Sequence, residues 1–112
     1  MLLEKHGRVP ARERPQVYLV LVGERTELQG FQLAEQLREA WPDLRLQVNL
    51  GGGNFKTQFK RADKSGARIA IILGDDEVDR GVVALKPLRQ ELAQEECPIA
   101  QASERLGALL GL

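Results

Sequence analysis

The order of apolar and polar residues along this chain predicts an α/β domain. Residues 17–22 are continuously apolar and rich in β-branched side chains, a pattern typical of a central strand buried on both faces. Residues 67–73 repeat that pattern. Residues 44–48 instead alternate apolar and polar side chains, which predicts a half-buried strand nearer an edge of the sheet.

A first helix is predicted between the first two strands. Leu33, Leu37 and Trp41 recur every four residues and form one apolar stripe. The helix should stop there, because Pro42 cannot continue it. Gly30 lies inside this helix at a cost of up to ~1 kcal/mol relative to alanine. We therefore expect another backbone or strand to approach Gly30 closely.

A second helix is predicted over residues 55–65, with Asn54 as its N-cap. Phe55, Phe59 and Ala62 recur at helical spacing and are predicted to pack inward. Another face of the same helix carries three lysines. The helix therefore separates an apolar face from a cationic one.

The rest of the chain predicts two more strands and a helix. Residues 74–77 are an acidic turn, and the strand at 81–86 should run antiparallel to its predecessor because the connection is too short for a crossover. After a polar loop over residues 90–96, residues 98–100 predict a short fifth strand. Residues 101–110 predict a closing helix.

Together these elements predict a three-layer α/β domain with a mixed, mostly parallel five-stranded sheet flanked by three helices. Residues 16–112 should form this domain. Residues 1–15 contain Pro10, Pro15 and four basic residues and are predicted to be a linker, or the tail of a preceding domain.

Composition suggests one soluble globular domain, with 43% hydrophobic and 29% charged residues in 112. Sixteen basic and sixteen acidic residues cancel, which argues against binding nucleic acid by bulk attraction alone. The charges are unevenly placed, however. Residues 54–68 hold five basic residues and one acid, whereas residues 74–112 hold eight acids and four bases.

Catalytic and metal-binding patterns are missing from the sequence. His6 lies in the predicted linker, where nothing would fix its geometry as a general base. Cys97 has no histidine near it and is predicted to be a small structural residue; as the single cysteine it cannot form an internal disulfide. The acidic turn lacks the calcium-loop pattern. No apolar run approaches the ~20 residues that span a membrane.

A possible RNA-binding surface lies around the second helix. Lys56, Lys60 and Lys64 form a cationic line, Gln58 offers an amide that can read a base, and the three glycines at 51–53 precede a helix N-terminus that attracts anions. Phosphates bind cations, and base amino groups donate to carboxylates, so a basic helix beside an acidic turn suits an RNA loop. A solvated helix face and a flexible turn explain the same residues without a ligand.

The aromatic residues are predicted to lie mostly in the core, since most of them fall on apolar stripes: Tyr18, Phe31, Trp41, Phe55 and Phe59. The sequence therefore predicts no exposed aromatic platform of the kind that binds single strands without sequence preference. RNA would be read through hydrogen bonds and charge.

Several segments resemble one family, the anticodon-binding domain at the C-terminus of histidine–tRNA ligases. They are VYLVLVGE, LRLQVNL, ADKSGAR, IAIILGDDEV and GVVALKPL. The most specific is ADKSGAR followed by an apolar strand and an acidic turn. The resemblance covers roughly residues 16–110 and implies the same fold of five strands and three helices.

The resemblance also implies RNA-binding positions in this chain. They are the glycine-rich turn and helix start at Gly52, Gly53 and Asn54, then Lys56 and Lys60, the acidic turn at Glu77, and the fourth strand at Lys86. Glu77 can accept hydrogen bonds from a guanine edge, whereas Lys60 can bind a phosphate and Lys86 a base oxygen or a phosphate.

The family further implies a role within a larger cytoplasmic enzyme. A separate catalytic domain would use ATP and magnesium to charge histidine tRNA, the parent would be a homodimer, and this chain, with no cofactor of its own, would be inactive alone and can be monomeric. Two alternatives remain open: a regulatory domain that binds a protein through the basic helix face, and a small-ligand α/β enzyme that uses the glycine turn.

Overall fold

A computed structural model describes residues 14–23, 26–49, 52–91 and 93–112, so most of the predicted linker lies outside the described residues. The elements follow in the order β1 (Val17–Val22), α1 (Thr26–Ala40), β2 (Leu46–Val48), α2 (Phe55–Ser65), β3 (Ile69–Gly74), α3 (Asp75–Arg80), β4 (Val82–Pro87), β5 (Glu95–Pro98), a 3-10 turn (Ile99–Gln101) and α4 (Ala102–Leu110).

The five strands form one mixed sheet in the order β2-β1-β3-β4-β5. β1 pairs in parallel with both β2 and β3, whereas β4 runs antiparallel to β3, and β5 antiparallel to β4. This arrangement confirms the predicted fold class, the edge position of the second strand and the reversed direction of the fourth. The buried, fully apolar β1 lies between two neighbours, as its composition requires.

Alternate residues of the strands form two cores on opposite faces of the sheet. Val17 and Leu19 of β1 belong to the larger core, which α1 and α4 cover. Tyr18 and Val20 belong to the smaller core, which α2 covers. The domain therefore has three layers. Helices α1 and α4 lie on one face of the sheet, where Val78 of α3 also packs, and α2 lies on the other face.

The acidic segment after β3 is a helix rather than the predicted turn, so the described residues contain four α-helices and not three. Gly74 is the N-cap of this helix, and its backbone N–H donates to the Glu77 carboxylate at 2.8 Å. Three acids in the first turn suit the positive end of the helix dipole. Gly81 ends the helix in a left-handed conformation.

The fifth strand also differs from the prediction. β5 includes Glu95 and Glu96, which were expected in a polar loop, and Ile99–Gln101 is a 3-10 turn rather than a strand. Two bidentate ion pairs explain why these polar residues form a strand. Arg105 of α4 binds Glu95 at 2.7 and 3.1 Å, and Arg80 of α3 binds Glu96 at 3.0 Å through both nitrogens.

Two helical glycines lie where another side chain comes very close. A Cβ on Gly30 would stand 2.7 Å from the Leu21 side chain, so a strand does approach this glycine closely, as predicted. A Cβ on Gly107 would stand 2.4 Å from the Trp41 ring. That ring is held in place, because its Nε1 donates to the Ser103 carbonyl oxygen at 3.0 Å. Gly30 therefore permits close packing of α1 on β1, and Gly107 permits close packing of α4 against Trp41, which directly follows α1.

We predict that Gly107→Ala destabilises the domain by about 1–3 kcal/mol, because the new methyl group overpacks against the indole ring. Urea denaturation measures this change. In a Trp41→Phe background the smaller ring leaves space for the methyl group, so the same substitution should cost less. A stability equal to or above wild type in the Trp41 background would contradict the packing described above.

The ion pairs of β5 predict a dependence of stability on acid pH. Hydrogen bonds from Arg105 and Arg80 lower the pKa of Glu95 and of Glu96 below the ordinary value of 4.5. Because the folded pKa is the lower one, this contribution is present above about pH 4.5 and is lost as the pH falls through the folded pKa. The variant Glu95→Gln/Glu96→Gln should therefore lose less unfolding free energy than wild type between about pH 6 and pH 3.

The matched control for that experiment is Glu35→Gln/Glu39→Gln on α1. Both carboxylates are exposed, and neither has an ion-pair partner within the described residues. Urea denaturation at several pH values gives the unfolding free energy as a function of pH, and this control should show the same dependence as wild type. If the β5 variant also showed the wild-type dependence on pH, the two ion pairs would not stabilise the folded state.

Candidate nucleic-acid interface

An open groove of about 460 Å³ lies at the edge of the sheet where the parallel strands β1 and β3 end. Its floor is apolar, and its walls come from the first residue of α2, the first turn of α3 and the segment before β5. The lining residues are Val22, Gly23, Phe55, Ile72, Gly74, Asp75, Asp76, Glu77, Ala84 and Gln94. In open parallel sheets this edge is where ligands commonly bind.

The acidic wall of the groove is the first turn of α3. One oxygen of Glu77 accepts the Gly74 N–H, and the other lies 3.7 Å from Arg80. The Asp76 side chain is 74% exposed although it also contacts Arg80, at 2.9 Å, whereas the Glu77 side chain is only 19% exposed. The predicted acceptor Glu77 therefore caps its own helix, and Asp76 is the more accessible carboxylate. Hydrogen bonds to Glu96 and then Asp76 raise the pKa of Arg80, which stays charged.

The three lysines of α2 lie on its outer face. Gln58 and Ala62 are the buried residues of this helix, and at 3.6 residues per turn Lys60 lies about 200° around the axis from Gln58. Lys56, Lys60 and Lys64 are all exposed. Within the described part of the chain, none of the three has an ion-pair partner. Lys56 directly follows Phe55, which lines the groove, and Lys60 and Lys64 lie one and two turns further along α2.

A buried polar network holds the glycine turn between β2 and α2. The Tyr18 hydroxyl donates to Asn49 Oδ1 at 2.7 Å, and Asn49 Nδ2 donates to the Gly52 carbonyl oxygen at 3.0 Å. Arg61 Nη1 donates to the same two oxygens at 3.1 and 2.9 Å. Burial raises the pKa of Tyr18, and the Arg61 charge partly opposes that rise. These contacts hold Gly52 in one position.

Gln58 lies inside the domain, so the prediction that it reads a base is wrong. Its side chain is fully buried. Within the residues that the structure describes, the last hydrogen bond between the β2 segment and β1 runs from Asn49 N to the Leu19 oxygen, at 3.0 Å. Beyond that point the Gln58 side chain is the hydrogen-bond partner of β1. It accepts from Leu21 N at 2.8 Å and donates to Leu21 O at 2.5 Å and to Gly53 O at 2.7 Å.

The start of α2 directs peptide N–H groups away from this network. Asn54 is the N-cap, as predicted, since its Oδ1 accepts from Thr57 N at 2.8 Å. The carbonyl oxygen of Gly52 accepts a hydrogen bond from Asn49, and that of Gly53 accepts one from Gln58, so both carbonyls face the network. The described part of the chain has no cis peptide bond. Because a trans peptide places N–H opposite C=O, the N–H groups of Gly53 and Asn54 point the other way. Such N–H groups at a helix start favour anions.

Two aromatic residues are exposed, which corrects the prediction that the chain lacks an accessible aromatic surface. Phe31 is 48% exposed and Phe55 is 44% exposed. Phe59 packs against the smaller core, as predicted, but Phe55 does not. Phe55 is the first residue of α2 and lies at the groove where the sheet ends, so its ring meets Phe59 on one side and open space on the other.

The remaining predicted residues lie around the groove at different distances. Lys86 is half-buried and shares a face of β4 with Ala84, which lines the groove two residues away. Gly52 lines a neighbouring crevice on the other side of Gly23, together with Phe31. Of the predicted set, Glu77 lines the groove itself. The structure also adds Phe55, Asp76 and Gln94, which the sequence-based prediction had not assigned.

Of these three added residues, only Phe55 and Asp76 could have been identified from the sequence. Phe55 is the first residue of α2, and the buried residues of this helix, Gln58 and Ala62, come later. Because the first residue of such a helix extends past the end of the sheet, Phe55 could have been identified as exposed. Asp76 belongs to the acidic segment that was recognised. Gln94 lies 20 residues beyond Gly74 in a loop, and only the pairing of β4 with β5 brings it to the groove.

Other kinds of site were also sought within the described ranges. In those residues no three His, Cys, Asp or Glu side chains are placed to hold a metal ion together. None of the helices there has the length and apolar character needed to cross a bilayer.

Comparison with known proteins gives consistent matches. Residues 16–109 match the sequence pattern of the anticodon binding domain family. A histidine–tRNA ligase from Hydrogenovibrio crunogenus is 50% identical over 97 residues, which are 87% of this chain and 23% of that protein. The histidyl-tRNA synthetase of Nostoc sp. PCC 7120 superposes with a TM-score of 0.75 and 28% identity over 97% of this chain and 26% of that chain.

A second solved structure supports the fold alone. The apo histidyl-tRNA synthetase of S. aureus superposes with a TM-score of 0.72 and 22% identity, over 92% of this chain and 26% of that chain. This chain therefore spans about a quarter of the length of each of these relatives.

The position of Gln58 generates a stability prediction. Gln58→Leu leaves Leu21 N–H, Leu21 C=O and Gly53 C=O without their partner. Because Leu21 is half-buried and Gly53 is exposed, water satisfies part of these groups, and we expect a loss of about 1–3 kcal/mol in urea denaturation. Lys60→Ala, two residues away on the outer face, should change stability by less than about 0.5 kcal/mol. Similar effects of both substitutions would mean that Gln58 does not support the end of β1.

Proposed function

The chain belongs to the anticodon-binding domain family, and from this premise we propose that it binds the anticodon loop of histidine tRNA. One observation carries the proposal. The exposed Lys56 directly follows Phe55, which lines a groove with apolar and acceptor walls, and Lys60 lies one turn further along α2. RNA loops present both phosphates and unpaired base edges, so they need both kinds of surface together.

The phosphates would contact the start of α2. Lys56 and Lys60 supply positive charge on its outer face, and the N–H groups of Gly53 and Asn54 supply directed donors. The network around Asn49 holds these groups in place before RNA arrives, so little conformational entropy is lost on binding.

The base edges would contact the groove. Carboxylates of Asp76 and Glu77 accept hydrogen bonds, and a guanine edge presents an amino group and a ring N–H as donors. Lys86 is two residues from the groove along β4 and can reach a base oxygen or a phosphate. This assignment gives an RNA contact to six of the eight residues predicted from sequence. The Gly52 carbonyl is held by the network around Asn49, and the buried Gln58 is excluded.

The parent protein would be a histidine–tRNA ligase. The similarity to such a ligase over most of this chain supports that choice, and the chain spans only about a quarter of it. In the parent, ATP and magnesium would be used by a separate catalytic domain that contacts this one, and the enzyme would act in the cytoplasm as a homodimer. The isolated chain would bind tRNA without charging it.

The experiment that tests this function is a fluorescence-anisotropy titration with labelled anticodon stem-loops at low salt. One stem-loop carries the histidine anticodon GUG, and the other has those three bases changed. Preference for GUG supports the proposed function. Equal, salt-sensitive binding to both would leave only a basic surface, and RNA-independent capture of a protein would favour the regulatory alternative.

The lysines predict a specific change in the salt dependence. For single strands, log K changes by about 0.7 per phosphate contact for each tenfold change in salt. Lys56→Ala/Lys60→Ala should therefore lower the magnitude of the slope of log K against log salt concentration for the GUG stem-loop by about 1.4. Titrations at several salt concentrations measure this slope. Arg38→Ala, an exposed cation on α1, is the matched control and should leave the slope unchanged. Equal slopes for the double variant and wild type would exclude these lysines from phosphate binding.

A further inference from the structure

The ring of Phe55 stacks on another ring and still remains partly exposed at the groove. Its ring centroid lies 5.4 Å from that of Phe59, and the two planes differ by 30°, so the rings are stacked. Phe59 in turn packs against the smaller core. Phe55 is nevertheless 44% exposed. A ring supported in this way is already ordered, and binding to its free face costs little side-chain entropy.

The surroundings of Phe55 match the chemistry of a nucleobase. Val22, Ile72 and Ala84 give the groove an apolar floor beside the ring. Asp76 and Gln94 line the same groove with hydrogen-bonding groups. A base has apolar faces and polar edges, so it can stack on an aromatic ring while its edge reaches polar side chains.

Charge next to the ring supports the same ligand. Lys56 follows Phe55 directly in α2, is exposed, and has no ion-pair partner within the part of the chain that the structure describes. A nucleotide whose base lies on the ring can therefore place its phosphate near an uncompensated cation. Phe31, the other exposed phenylalanine, lies at a crevice lined by Leu21, Glu27 and Gly52 and has no ring stacked behind it within the described residues.

We propose that Phe55 is a stacking platform for one unpaired base of the bound RNA. This inference rests on the proposed function and adds an affinity-determining residue to it. The base is one that presents N–H donors at its edge, as guanine does, because the carboxylates of the groove wall accept hydrogen bonds. The lysines then hold the backbone, and the ring holds the base.

The test compares three variants in the same stem-loop titration. Stacking of a base on an aromatic ring contributes about 1–3 kcal/mol, so Phe55→Leu should raise Kd at least about fivefold even though leucine is also apolar. Phe55→Trp keeps an aromatic face and should bind at least as tightly as wild type. Phe31→Leu is the matched control, and it should change Kd less than twofold.

A second measurement locates the base. Replacing one anticodon guanine at a time with 2-aminopurine reports stacking, because its fluorescence falls when the base stacks on a ring. One position should be quenched on binding to wild type and to Phe55→Trp, but not on binding to Phe55→Leu. Circular dichroism of each variant checks that the fold is kept.

The outcomes separate the stacking proposal from the proposed function. Preference for GUG with an unchanged Kd for Phe55→Leu overturns stacking and leaves anticodon binding intact. A loss of affinity in Phe55→Leu with no preference for GUG supports stacking but overturns anticodon recognition. No binding of wild type to either stem-loop overturns both.

Discussion

The end of β1 imposes the constraint on which the proposed binding surface depends. β1 continues to Val22, but within the described residues its pairing with β2 reaches only Leu19. Without a side-chain partner, the half-buried peptide groups of Leu21 would lack hydrogen bonds on that side, at a cost of up to about 1–3 kcal/mol each. The side-chain amide of Gln58 supplies both missing hydrogen bonds and a third to Gly53. One buried amide thus joins the central strand, the glycine turn and the first turns of α2.

A second consequence follows from the parallel pairing of β1, β2 and β3. Their carboxyl ends lie at the same edge of the sheet, so the helices that follow β2 and β3 both begin there. α2 brings Lys56 and Lys60 to that edge, and α3 brings Asp76 and Glu77. A chain with no net charge can therefore present cations for phosphates and acceptors for base edges next to each other, at positions far apart in sequence. An anticodon-binding domain needs that combination more than it needs a large net charge.

Most of the fold could be predicted from the sequence, because strand burial and helical periodicity are local signals. The two errors in secondary structure have physical causes. α3 has only six residues, too few for an apolar period, and its helical state depends on the Glu77 contact with Gly74 and on Gly81. β5 contains adjacent glutamates, which read as a loop until Arg80 and Arg105 are known to bind them from different helices.

By itself, the sequence determined the order of the first four strands and of helices α1, α2 and α4, the direction of the fourth strand, the cap at Asn54 and the lysine stripe. Each depends on neighbours within a few residues or on the length of a connection. Only the tertiary structure decided that Gln58 is buried and Phe55 exposed, the reverse of what residue type suggests. Helical spacing gives the relative direction of side chains around α2. Which groups of the sheet each turn of α2 faces depends instead on where the pairing of β2 with β1 ends. Within the described residues no β2 partner reaches Leu21, so the Gln58 amide meets its peptide groups, whereas Phe55 lies at the groove where β1 and β3 end.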